Sequence, residues 1–409
     1  MEERKYELYS SDFREKTYET YAAMREHDPV FRQPGLDGTT PIWFVSRHED
    51  AMAVLVDDER FVLDPELALT PEELDARRAT FAMTVDPRID THLLTKDGGD
   101  HRRLRRLVSK AFTPRMVETL RPRIQAIADE LVDAVEPRGE MDLVDHYAFP
   151  LPIVVICELL GIPSADRDRF REWSNLFLSP ALTEEEQQRF AVAIEQFLGY
   201  LHELFERRRA DPGDDLVSAL VQAEEAGDTL SEDELFSMVV LLIVAGHETT
   251  VSLIGNGVLA LLTHPEQLEK MRADPASLPA AVEELLRFDS PVERSITRWA
   301  TTDVELGSQT IRRGDLVIAV LGSANRDPER FPDADKLDLA RGDAKHLAFG
   351  RGSHFCLGAP LARLEAEIAL RTLVDRLPSL RLAIADEDLY WRPIPLFRSL
   401  ASLPVAWDV

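Results

Sequence analysis

The chain has 409 residues, 44% of them hydrophobic, so it can build a sizeable core and is too apolar to remain disordered. Its 47 basic and 74 acidic side chains give a formal charge of −27, which excludes a broad polyanion-binding surface and leaves only local basic patches for anionic partners. Two cysteines with no spacing pattern exclude a disulfide framework and suit a reducing compartment.

The N-terminal MEERKYELYSSDF is charged where a signal peptide has its apolar centre, so a cytoplasmic protein is expected. Pro41–Ser46 (PIWFVS) reads as a strand, followed by a helix through Glu49–Asp58. From Phe61 to Lys96 the pattern is mixed and reads as a covering segment. Thr70-Pro71-Glu72-Glu73, a cap followed by proline and acids, announces one short helix there. A basic helix follows Lys96–Asp100 (KDGGD) and carries HRRLRRLVSKAF up to Thr113-Pro114. Cys157 falls in the apolar LPIVVICELLG and reads as an inert core thiol.

Ser231 and Glu234 form a capping box that opens a helix reaching Thr263, where His264-Pro265 ends it. That is about 33 residues or roughly 50 Å, enough to cross a whole domain. Its most apolar run, Met238–Gly246, is too short to span a bilayer. A late β patch spans Asp303–Leu321, with turns at Gly307-Ser308 and near Gly314. With no repeat and no long linker, residues 1–409 read as one mainly helical domain with a small β region.

The long helix contains AGHETT, Ala245 to Thr250. A zinc-protease reading needs a second histidine four positions after His247, but that position is Val251. What remains is a small-residue pair, Ala245-Gly246, that lets a bulky flat group approach the backbone, followed by an acid and two hydroxyls. Thr249 lies on the face of Ala245, where its hydroxyl can bond back to that carbonyl and loosen the helix.

Cys356 sits in a turn crowded by Gly350, Gly352 and Gly358, and a helix begins near Leu357. Backbone N–H groups and the positive helix end both favour a thiolate. A thiolate with no second Cys or His at metal-finger spacing suits a single axial bond to a haem iron.

Phe349–Gly358 (FGRGSHFCLG) resembles the haem-ligand loop of the cytochrome P450 superfamily, with Phe349, Gly350, His354, Cys356 and Gly358 in register. AGHETT is similar to that family's oxygen-activating motif, Glu284 and Arg287 of EELLR to its Glu-x-x-Arg pair, and Arg341 to the arginine that joins them. The resemblance runs from about Tyr21 to the end and is strongest to soluble bacterial macrolide hydroxylases. It implies a triangular helical prism, with haem b between the long helix and the cysteine loop and Cys356 as metal ligand.

The same resemblance assigns His101, Arg105, Arg298 and His354 to the haem propionates, as local cations. It makes Glu248 and Thr249 the catalytic pair, the acid relaying protons and the alcohol holding bound oxygen and water. It implies a monomeric monooxygenase that uses O2 and NAD(P)H electrons, delivered through ferredoxin reductase and ferredoxin. Arg102, Arg106 and Lys110 repeat at i, i+4 and i+8, about 100° from the haem-facing pair, as a dock for an acidic ferredoxin.

Substrate contacts are expected from Phe61–Thr95, Trp173–Leu182, Val292–Ile296 and Ile394–Phe397, mostly apolar segments that fit a hydrophobic molecule. A macrolide or other polyketide leads, with a steroid, terpenoid or fatty acid as alternatives. Whether Glu293 or Arg294 faces the pocket is left open. A peroxide-driven peroxygenase is the alternative chemistry, and the Glu248-Thr249 pair counts against it. DGGD stands where many relatives carry a proline-rich turn, and its two glycines are expected to loosen the approach to His101.

Overall fold

A computed structural model gives the fold and describes residues 5–80, 87–166, 169–170, 172–173, 176, 183–225, 228–342 and 345–409. Its axis is the central helix Glu232–Thr263, whose start is fixed as its sequence predicts. Glu234 N–H donates to the Ser231 hydroxyl (3.2 Å), and Ser231 N–H donates back to the Glu234 carboxylate (2.8 Å). By length and apolarity this 32-residue helix could cross a membrane, although the run Met238–Gly246 alone could not. However, 67% of its most apolar window is buried inside the protein. A helix apolar all round is a core helix when other helices cover it. Here Pro150–Leu159, Leu278–Phe288 and Ala359–Arg376 do so. Ile254, Leu253 and Val258 are buried in those contacts, each contributing about 1.5–3 kcal/mol of transfer free energy.

The strand at Pro41–Val45 and the helix at His48–Val56 match expectation. The late β patch does not stay together. Val304–Leu306 and Gln309–Ile311 form a local hairpin around Gly307, whose φ of 57° a side chain would disfavour. Leu316–Ala319 leaves the hairpin and pairs in parallel with the N-terminal strand, Leu316 opposite Ile42 and Ala319 opposite Val45. All four of its residues are buried, which a local hairpin could not achieve. The five-stranded sheet is ordered Val30–Pro34, Pro41–Val45, Leu316–Ala319, Arg298–Ala300, Phe61–Val62. The Arg298–Ala300 strand was not predicted. Three residues carry too little alternation to register as a period-2 pattern.

The basic helix runs Gly98–Ala111 and so starts two residues before Asp100, on a glycine with φ 57°. The short helix Pro71–Thr80 is capped by Thr70, whose hydroxyl accepts the Glu73 N–H at 3.3 Å. Cys157 is buried in Pro150–Leu159, in agreement with an inert core role.

Candidate active site

A cavity of about 570 Å³ is bounded by the central helix, the cysteine loop, the basic helix and the turn Ile394–Phe397. Cys356 opens onto it. Its loop is shaped by Gly350 (φ 66°) and Gly352 (φ 77°). At Gly352 any β-carbon would also lie 2.8 Å from the Leu55 carbonyl oxygen, so the loop packs directly on the helix His48–Val56. Cys356 N–H donates to the Phe349 carbonyl (3.0 Å), closing the turn under the sulfur.

The N–H groups expected to favour a thiolate do so, but burial of the sulfur outweighs them. Burial pushes the Cys356 thiol up. The Gly358 N–H, Arg105, the Ala359 N–H and Arg363 oppose this without reversing it. The loop and helix end therefore do not ionise the sulfur by themselves. A bound iron would do that, since a coordinating thiol is deprotonated outright.

His101, Arg105, Arg298 and His354 all line this cavity, as the sequence predicts. The His101 and His354 rings lie 4.0 Å apart between centroids. His354 Nε2 is 3.0 Å from Asp97 Oδ1, and the other oxygen of Asp97 accepts the Leu63 and Asp64 N–H groups. The glycines of DGGD thus do not loosen this approach, because Asp97 fastens it. Arg298 donates to the Phe61 carbonyl (2.9 Å), while Arg105 has no hydrogen-bond or ion-pair partner among the described residues.

His101 is not the cation expected. Burial, then the charges of His354 and Arg105, lower its pKa to about 4, so with the cavity empty of ligand it is neutral at pH 7. Its Nε2 and the His354 Nδ1 are buried with no hydrogen-bond partner. The Arg105 guanidinium and these two imidazole nitrogens, unpartnered among the described residues beside a cysteine, fit a ligand bearing two carboxylates and an iron, which is what haem presents.

Thr249 Oγ donates to the Ala245 carbonyl at 2.9 Å, the back-bond its position predicts. Ala245, Gly246, Thr249 and Thr250 line the cavity. The room at Gly246 is partly taken by Ile156, whose Cδ1 lies 3.2 Å from where a β-carbon would sit. Glu248 lies outside the lining and is 0% exposed. It is ion-paired with Arg392, which is 27% exposed, and its Oε2 lies 3.7 Å from His247 Nε2. Arg392 is not predictable from spacing, because 144 residues separate the partners.

Glu284 receives two 2.8 Å bonds from Arg287 and a 3.1 Å bond from Arg341, completing the predicted triad. Arg287 continues to the Asn325 carbonyl, and the Asn325 side chain accepts the Leu347 N–H (2.6 Å) just ahead of the cysteine loop. Asn325 is the missing link by which a buried ion pair steadies that loop.

The apolar walls come from Leu63, Leu93, Val292 and Ile296 and from the turn at 394–397, as expected, with Leu241 and Val244 of the central helix added. Trp173 is not among them; it packs on Phe170 and Phe197 at 5.2 and 5.1 Å. Of Trp173–Leu182, residues 174–175 and 177–182 lie outside the described residues, as do 81–86 of Phe61–Thr95. Glu293 and Arg294 both point away. Glu293 accepts from Arg14 (2.8 Å), and Arg294 donates to the Leu8 carbonyl (2.8 Å), tying down the N-terminal segment. Arg102, Arg106 and Lys110 are exposed on the far side of the basic helix.

A lone cysteine under a cavity lined by unpartnered donor atoms, with the back-bonded Thr249 of the central helix beside it, defines a haem-thiolate site. The family model described as Cytochrome P450 matches residues 165–379. Cytochrome P450 107B1 of Saccharopolyspora erythraea is 46% identical over 97% of this chain and 96% of its own. Mycinamicin IV hydroxylase/epoxidase of Micromonospora griseorubida is 46% identical over 95% and 94%. The crystal structure of the myxobacterial cytochrome P450 CYP267B1 in complex with myristic acid superposes with a TM-score of 0.92, at 44% identity, covering 99% of this chain and 100% of that one. The chain belongs to the cytochrome P450 family, and it is a haem-iron monooxygenase that uses molecular oxygen and reducing equivalents.

Proposed function

We propose that this P450 carries haem b on Cys356 and inserts one oxygen atom into a C–H bond of a macrolide or related polyketide, by hydroxylation or epoxidation. The apolar cavity wall supports a hydrophobic substrate, and the mycinamicin relative narrows its class. Haem, when bound, supplies the oxygen chemistry, with the cysteine sulfur donating electron density that favours O–O cleavage.

The chain's own residues supply the rest. His101, Arg105, Arg298 and His354 hold the propionates. Thr249 spends its proton on the Ala245 carbonyl, so its oxygen lone pairs remain to accept from a cavity water. Glu248 relays protons toward that water. Leucines at 63, 93 and 241 keep bulk water out. Electrons come from NAD(P)H through ferredoxin reductase and a ferredoxin seated on Arg102, Arg106 and Lys110, in a cytoplasmic, single-domain monomer.

Spin-state titration of the purified holoprotein with macrolactones, steroids, terpenoids and fatty acids tests the substrate class. Mass spectrometry of the products then checks for one added oxygen. Binding and oxidation confined to fatty acids or steroids would overturn the polyketide reading. Turnover with peroxide alone, undiminished in Thr249→Ala, would favour a peroxygenase instead.

A further inference from the structure

We infer that Arg14, which lies outside the cavity, is a positioning residue that fixes the gap between two of its walls, Val292–Ile296 and Ile394–Phe397, and so limits the size of molecule accepted. The inference rests on the reading of this cavity as the substrate pocket over haem.

The first wall is held by the sheet. Ser295 N–H donates to the Ala319 carbonyl (2.8 Å), and the Glu293 carbonyl accepts the Gly322 N–H (2.9 Å). Ala319 belongs to the fully buried strand Leu316–Ala319, so this wall has little freedom. The second wall runs alongside it as a short ladder. Glu293 N–H donates to the Leu396 carbonyl (3.1 Å) and Arg398 N–H to the Pro291 carbonyl (2.9 Å), on either side of the bridged pair Val292 and Phe397. That ladder stops at Leu396. Ile394 and Pro395 also line the cavity, yet among the described residues no backbone hydrogen bond ties them to the first wall.

Arg14 supplies the missing tie. It sits in the short helix Ser11–Glu15, is 5% exposed, and takes no part in the cavity lining. Its Nη1 donates to the Glu293 carboxylate (2.8 Å) and, at longer range, to the Phe397 carbonyl (3.4 Å). Its Nη2 donates to the Ile394 carbonyl (2.5 Å). The planar fork thus joins the two walls as a spacer of fixed length. The backbone behind it is anchored as well. Arg398 donates to the Arg14 carbonyl (3.3 Å) and to Asp289 (2.7 Å), and Arg294 holds the Leu8 carbonyl. A molecule wider than the gap has to part Arg14 from one wall, and that work is subtracted from its binding free energy. A molecule that never reaches the walls bears no such cost.

Two iron-binding probes separate these cases: clotrimazole, whose three aryl rings crowd the walls, and imidazole, which is too small to touch them. Dissociation constants are read from the Soret shift of holoprotein whose carbon-monoxide spectrum is intact. Arg14→Gln strands no charge, because Glu293 keeps the Arg294 guanidinium at 3.6 Å. It is expected to bind clotrimazole about 5- to 10-fold tighter, with imidazole changed less than about twofold. Arg14→Met, which keeps the bulk without any donor, should give the same gain. If Arg14 serves the fold alone, both variants melt earlier while the ratio of the two constants stays parental. That result, or an equal shift for both probes, overturns the inference. The probes bind iron whatever the natural substrate is, so failure of the polyketide reading leaves this test untouched, and an unchanged ratio leaves that reading standing.

Discussion

His101 and His354 lie ring against ring, 4.0 Å between centroids, with Nε2 of the first and Nδ1 of the second both buried and without a hydrogen-bond partner among the described residues. Two imidazolium charges could not share that spacing, and His101 is accordingly held neutral down to about pH 4, first by burial and then by its cationic neighbours. A histidine whose folded pKa is lowered costs stability as pH falls, because below pH 6.5 the unfolded chain takes up a proton that the folded one refuses. Thermal melts of the haem-free protein are therefore expected to lose on the order of 2 kcal/mol between pH 6.5 and 4. His101→Asn should flatten that decline, and an identical slope in the variant would count against the assignment.

The Glu284–Arg287 pair is almost wholly buried, at 3% and 0% side-chain exposure, and Arg287 feeds the carbonyls of Asn325, Ala334 and Lys336. Removing one partner strands the other charge, which costs about 3–5 kcal/mol. Glu284→Ala should lower the melting temperature by that equivalent and shed haem in parallel, because the Asn325–Leu347 link to the cysteine loop relaxes. Differential scanning calorimetry with a Soret readout checks both effects at once.

Glu365, in the helix Ala359–Arg376, is fully buried with no cation to pair with among the described residues. Burial raises its pKa to about 8, with the Thr250 hydroxyl as the only opposing contact. Here the sign runs the other way. The folded state keeps a proton that the unfolded chain releases above pH 4.5, so stability falls as pH rises from 4.5 to 8. Glu365→Gln, neutral throughout, is expected to remove that slope and gain roughly 1–4 kcal/mol at pH 8, as measured by denaturant unfolding at pH 5, 6.5 and 8.

Thr249→Ala deletes both the back-bond to Ala245 and the one hydroxyl at that position of the cavity wall. Haem content and ligand binding should stay near parental. Product per NADPH should drop roughly tenfold or more, with the missing equivalents appearing as hydrogen peroxide, in line with losing a group that positions transferable protons. Thr249→Ser, which keeps the hydroxyl, should recover most of the coupling.

The sequence made much of the site legible, and the parts it revealed share one property. The capping box of Ser231 and Glu234, the back-bond of Thr249 and the turn of Gly350, Gly352 and Cys356 are all interactions within a few residues. Helix geometry and sterically special glycines dictate these locally, so periodicity and spacing reveal them. The four side chains proposed for the propionates come from resemblance to a known motif order, and only for His101 does the charge differ from expectation. Whether His101 is charged depends on desolvation, which spacing does not encode.

Residues far apart in the chain were decided by the fold. Leu316–Ala319 could pair with its neighbouring hairpin or with Pro41–Val45, and only burial of all four side chains selected the distant partner. Glu293 and Arg294 could have faced the pocket, but turn instead to Arg14 and Leu8. Glu248 is recognisable as an acid from its motif alone. Its counter-charge, Arg392, emerges only when the chain's end folds back over the central helix. A chain this acidic offers many arginine–carboxylate pairings of similar local energy. Which of them forms is set by the path of the whole backbone, through the cost of leaving any buried charge unpaired.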